Sequence, residues 1–194
     1  MAADAYGRIT KLAESLNDAG VEPAVIAEIL AGGEEILKST RPEVKADWMR
    51  EAMLRMNRLL EPSTRFRVRE NCACCLGGKR LEISKRIAKQ YTSLDERIRA
   101  ANEAHFVFGH SVTRQADGSI QVAFSPDGQE HYRCVCLPQA RHKIPITYCY
   151  CCGGHAKHHL QTALGRPLKL TVLSSALSSA GEKPCKFSFT LVED

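Results

Sequence analysis

"HFVFGHSVTRQADGSIQVAFS", residues 105 to 125, is where the chain changes its period. Before it, apolar side chains recur every three or four residues. Within it they alternate, and Ala116-Asp117-Gly118 supplies a hairpin turn between the two halves. The pattern predicts two antiparallel strands, with helices on the N-terminal side.

Working outward toward the start, "DAYGRITKLAESLNDAG" (4–20) places Ile9, Leu12 and Leu16 on one helical face and stops at Gly20. "EPAVIAEILAGG" (22–33) opens with a proline suited to a first turn. A longer helix follows Thr40 and Pro42, with a stripe of Val44, Trp48, Ala52, Met56, Leu59 and Leu60 that reads as core packing. Pro62 reads as a break. "LEISKRIAKQ" (81–90) is a further helix, and Ser93 with Glu96 forms a capping box opening "LDERIRAANEA" (94–104).

Working outward toward the end, Ser125-Pro126-Asp127-Gly128 is a second turn. "QEHYRCVCL" (129–137) and "PITYCYCC" (145–152) read as extended, and "HAKHHLQTALG" (155–165) as a helix closed by Gly165. "LKLTVLSS" (168–175) and "PCKFSFTLV" (184–192) read as a terminal strand pair. The expected class is α+β, with N-terminal helices followed by an antiparallel sheet and a packed helix. The division expected is a helical segment, 1–70, and a cysteine-rich α+β domain, 71–194.

The chain has 194 residues, 44% hydrophobic and 25% charged, and a net charge of +5. It holds no apolar run long enough to span a bilayer, and "MAADAYGRIT" lacks a basic segment followed by an apolar one. A cytoplasmic protein without a membrane partner is expected. In a reducing compartment, nine cysteines serve as metal ligands, nucleophiles or small buried hydrophobes rather than as a disulfide framework.

Two clusters stand out. "CACCLGGKR" carries Cys72, Cys74 and Cys75, and "CYCCGGHAKHH" carries Cys149, Cys151 and Cys152; each is followed by a glycine pair. Cys72/Cys75 and Cys149/Cys152 are both Cys-x-x-Cys, and two such pairs make the tetrahedral thiolate set of a structural zinc site. Glycine would let each knuckle turn its amides toward sulfur. Cys74, Cys151 and Cys185 are alternates, and an iron–sulfur cluster would suit the same ligands. Cys151 and Cys152 precede the helix expected from His155, where exposed amides lower a thiol's pKa. Cys152 as nucleophile and His155 as proton carrier are therefore the catalytic candidates. His158 and His159 share neighbouring faces of that helix and read as solvated. Arg65, Arg67, Arg69, Lys79, Arg80, Lys85 and Arg86 surround the first cluster. They fit a soluble surface or an anionic small molecule. No aromatic interleaving makes a stacking platform, so nucleic acid is not an expected partner.

Residues 132 to 192, with "YCYCCGGHAKHHLQTALG", "LKLTVLSS" and "GEKPCKFSF", resemble the ligand-binding domain named after the four-vinyl reductase. The same region is similar to the family of 2-amino-thiazoline-4-carboxylate hydrolases, and the whole chain to cysteine-rich relatives in anaerobic bacteria. The resemblance implies a small-molecule pocket under the sheet and a zinc site near it. Of that site, it implies that Cys185 and one thiol of the 149–152 group are retained. Ser174 and Leu177 stand where a carboxylate and a thiol would be expected, so the first cluster would have to supply the missing ligands.

Three functions follow as expectations. The first is a zinc-binding protein with a small-molecule pocket in a sensory or accessory role. The second is a hydrolase of a small carbon–nitrogen or carbon–sulfur compound, using metal-bound water or a thiolate. The third is a zinc-stabilised nucleic-acid or protein adaptor. Homo-oligomerisation is compatible with each.

Overall fold

The computed structural model describes residues 4–192, so the outermost residues of the two expected segments lie outside the description. The fold is α+β. Helices α1 (Gly7–Asp18), α2 (Pro23–Leu30), α3 (Pro42–Leu59), α4 (Pro62–Asn71), α5 (Gly78–Gln90), α6 (Leu94–Glu103) and the single turn α7 (His105–Phe108) come first. The hairpin β1 (Ser111–Arg114) and β2 (Ile120–Ala123) follows, then an irregular stretch and a 3-10 turn, Ile146–Cys149. Helix α8 (Tyr150–Leu164), β3 (Leu168–Ser174) and β4 (Lys186–Leu191) complete it.

The four strands form one antiparallel sheet in the order β1-β2-β4-β3. Ile120 pairs with Phe189 and Val122 with Phe187; across the next ladder Leu170 and Val172 meet the same two phenylalanines. Period-two alternation buries Leu168, Leu170 and Val172 while Lys169 and Thr171 stay exposed. α8 packs on β3 and α6 on β1, and α8 packs also on α4 and α5. The buried cluster is continuous, from Leu12 and Met49 in the N-terminal helices through Leu160 to Phe187 and Phe189.

Local rules account for most of these elements. Asp117 accepts from the Ser119 amide at 2.9 Å and hydroxyl at 2.7 Å, and Gly118 has φ +82°, so the hairpin turns where expected. Ser93 and Glu96 cap α6 reciprocally. From α6, Arg97 donates to Tyr91 O, Ala88 O and Leu164 O, covering the last carbonyls of both α5 and α8.

Four segments depart from expectation. Residues 105–108 turn as α7, so the first strand starts at Ser111. α4 runs through the segment expected to break, because proline at a first helical position has no amide to waste. "QEHYRCVCL" forms no strand. "PITYCYCC" is a 3-10 turn feeding α8, which starts at Tyr150 rather than near His155. The buried side chains Tyr148, Cys152, Ala156, Leu160 and Ala163 show why: they recur every three or four residues, so the helical stripe reaches back through the cysteines. Among the described residues, no helix is long and apolar enough to cross a membrane.

Candidate functional site

The glycine pairs turn out to serve two purposes. Gly154 lies in the first turns of α8, where a Cβ would run into the backbone oxygen of Glu70; at Gly153 it would meet Leu170 at 2.6 Å. This pair allows α8 to press against α4 and β3 at once. In the first cluster, Cys75 and Gly78 take left-handed backbone, φ +59° each, which bends the loop between α4 and α5 sharply.

That loop is held by three histidines of α8. His155 Nδ1 lies 2.9 Å from Cys74 O, His159 Nε2 3.0 Å from Cys75 O, and His158 Nε2 3.1 Å from Leu76 O. Carbonyls only accept, so each facing nitrogen carries the proton. The second nitrogen of His155 faces Val107 O at 3.4 Å. His159 is fully buried rather than solvated, and burial holds its pKa down at about 4.

Six thiols converge on two adjoining chambers. The larger, about 300 Å³, is lined by Cys74, Cys75, Cys136, Cys151, Cys152 and His155, with Phe106, Val107, Phe124 and Val135 as apolar wall and Arg80 beside them. The smaller, about 270 Å³, is lined by Cys72, Cys74, Cys136 and Cys151 with Arg8, Lys11 and Arg69. Cys74, Cys136 and Cys151 face both. The Sγ atoms of Cys136 and Cys152 are 3.3 Å apart. Cys151 and Cys152 occupy the first turn of α8, directly after the 3-10 turn Ile146–Cys149.

The Cys-x-x-Cys quartet is distributed differently. Cys152 and Cys75 line the larger chamber, and Cys72 only the smaller, its thiol 3.7 Å from Lys11 O. Cys149 points away, toward Ser175 and Cys185, where burial pushes its pKa up to about 12. Cys185 receives the Ala176 amide at 3.4 Å, and burial raises its pKa also. Among the described residues, no group of three or more His, Cys, Asp or Glu side chains is already drawn together to hold a metal ion, and all nine cysteines are unpaired.

The charges around the thiols are unequal. Cys136 accepts from the thiols of Cys134 and Cys152, with Arg8 and His155 nearby, and its pKa falls to about 3. Cys134 and Cys152, hydrogen-bonded to Cys136, are raised in turn. Cys151 is lowered to about 7 by the neighbouring Cys152 thiol and by Arg69. Burial and the adjacent Cys75 raise Cys74 to about 11.

Arg69 is the unexpected participant. The sequence groups it with solvated bases, yet it is 2% exposed, with its guanidinium over the Tyr148 ring and Nη2 3.3 Å from Tyr148 O. Its Nε is buried without a partner. Burial would drive its pKa down; the facing thiols of Cys72 and Cys151 outweigh that and keep it charged. Arg8 completes the pair of cations, donating to Cys136 O at 2.9 Å and Tyr148 Oη at 2.7 Å. Cys136 and both arginines lie outside the expected site. A third Cys-x-Cys, at 134/136, and a thiol count above four were the signals pointing to Cys136.

A protein-family model described as "Family of unknown function (DUF6144)" matches residues 11–194. No curated protein and no solved structure matches the chain.

Proposed function

The chain belongs to DUF6144, a family of unknown function, so its chemistry has to be read from its own site; we propose that it is a cytoplasmic metal-binding protein with a thiolate centre at the junction of the two chambers. The ligands in this reading are Cys74, Cys136, Cys151 and Cys152. They share Cys152 with the Cys-x-x-Cys quartet and replace Cys72, Cys75 and Cys149. Sulfurs of a tetrahedral zinc site lie about 3.8 Å apart when the bonds are ~2.3 Å. The 3.3 Å contact of Cys136 with Cys152 is close to that spacing, and the rest requires rotation of side chains already facing the chambers.

The observation that carries the reading is Arg69. A buried guanidinium needs a negative partner, and a bare buried charge is strongly unfavourable. Arg69 has an unpartnered Nε, and the acidic side chains acting on it are thiols and the Tyr148 phenol. Four thiolates around a divalent zinc carry two negative charges, which Arg8 and Arg69 offset. A four-iron cluster on four thiolates has the same balance, so zinc and iron–sulfur are both served. The larger chamber, with its phenylalanines and Arg80, suits a small molecule bearing an anionic group.

The hydrolase reading places Cys152 and His155 on one cavity. His155, however, faces carbonyl oxygens with both ring nitrogens and so has no lone pair turned toward a thiol. We therefore assign it to holding the cysteine loop.

The test is anaerobic purification with zinc and iron analysis, an absorption spectrum and reconstitution with Zn²⁺. Stoichiometric metal is expected, lost in Cys136→Ser and Cys151→Ser and kept in Cys149→Ser and Cys185→Ser. A chain that takes up neither metal, or whose metal follows Cys149, overturns the proposal.

A further inference from the structure

We infer that Cys136 and Cys152 form a peroxide-oxidisable dithiol, a modification site that the metal-free chain carries in its own right. The inference goes beyond the metal reading and does not need it. Three geometric facts support it.

The first is proximity. The two sulfurs are 3.3 Å apart, and a disulfide requires about 2.05 Å, so closure needs a movement of little more than 1 Å. The second is an asymmetry of support. Cys152 is fixed within α8, whereas Cys136 sits on the irregular stretch between β2 and the 3-10 turn, which can supply that movement without unwinding a helix or parting a ladder. The third is access. Cys136 is half-buried on the wall of the larger chamber, beside the highly exposed Val135, and Cys152 is buried behind it. Of these two sulfurs, a small oxidant meets that of Cys136 first, with Cys152 placed to resolve the product.

The steps balance with a hydroperoxide as oxidant. The Cys136 thiolate attacks one peroxide oxygen, the O–O bond breaks, and Cys136 becomes a sulfenic acid as hydroxide leaves. Cys152 then attacks the sulfenic sulfur, an S–S bond forms, and the S–O bond breaks. The proton of Cys152 converts the departing hydroxide to water. Each sulfur loses one electron, and the peroxide oxygens together gain two.

The experiment uses full-length protein, reduced and stripped of metal with a chelator under anaerobic conditions, then titrated with hydrogen peroxide. A pair of thiols should disappear in a fast phase, with a mass lower by two hydrogen atoms and a link between the peptides 134–141 and 144–157 that fragmentation assigns to Cys136 and Cys152. In Cys152→Ser the reaction should stop at Cys136 sulfenic acid, trapped by dimedone. In Cys136→Ser the fast phase should vanish, and in Cys134→Ser it should persist. Dimedone labelling centred on Cys74 or Cys75, or an undiminished fast phase in Cys136→Ser, overturns the inference. If the serine variants fail to fold, the assigned link in the wild-type chain decides alone. A chain that forms this disulfide but never takes up zinc or iron sinks the metal reading only. One that binds metal yet yields no such link sinks this inference only.

Discussion

At the scale of single residues, the absence of a side chain matters as much as its presence. At Gly154 of α8 a Cβ would lie against the backbone oxygen of Glu70 in α4, so a methyl group there must displace backbone. Gly154→Ala should destabilise by about 1–3 kcal/mol, read as a lower denaturant midpoint at unchanged slope. Gly7 has open space around it in α1 and an ordinary backbone, so Gly7→Ala should be neutral or stabilise by up to about 1 kcal/mol. Similar losses at both positions would remove close packing as the reason for the second glycine pair. Sequence alone offered a knuckle for both pairs, because a glycine does not announce whether it serves a turn or a contact.

At the scale of elements, α6 and α8 carry the predictions. Ser93→Ala removes one half of a reciprocal cap and should lower Tm by about 2–4 °C, an effect absent from a neighbouring exposed site such as Thr92→Ala. His159 ties α8 to the cysteine loop and to Ser84 at 3.1 Å. Its folded pKa, about 4, lies below the ordinary histidine value near 6.5, so the unfolded chain binds the extra proton more readily. Its contribution is complete above that ordinary value and is lost as pH falls toward 4. Urea midpoints should decline through this window, and His159→Gln should flatten that part of the profile. The capping box and the hairpin were legible because each is a short local rule. α4 was not: its buried side chains include Arg69, and no apolar stripe marks it. "PITYCYCC" misled because alternating Tyr and Cys fits a strand in isolation, and only the run onward to Ala156 and Leu160 makes it helical. The thiol site was half legible for the same reason. Helical turning sends Cys149 to the Cys185 side and leaves Cys151 and Cys152 at the chambers, where the sequence offered Cys149 and Cys152 as one pair.

At the scale of the molecule, the segment boundary near residue 70 does not divide the core. Lys11 Nζ donates to Ala73 O at 2.6 Å and Thr147 Oγ1 to Asn57 Oδ1 at 2.7 Å, so α1 and α3 are bonded into the cysteine loop and the turn before α8. Residues 71–194 expressed alone should therefore give no cooperative unfolding transition; a sharp one with native-like near-ultraviolet dichroism would establish an independent domain. The sheet order has one more consequence. β2 finds its inner partner only in β4, so Ile120 waits for Phe189 while the whole excursion bearing Cys134 to Cys185 is made between them. At roughly 5–20 residues per second, a ribosome exposes that excursion for several seconds before the central ladder can zip. During synthesis, the thiols of this excursion stand exposed before the chamber walls have closed around them.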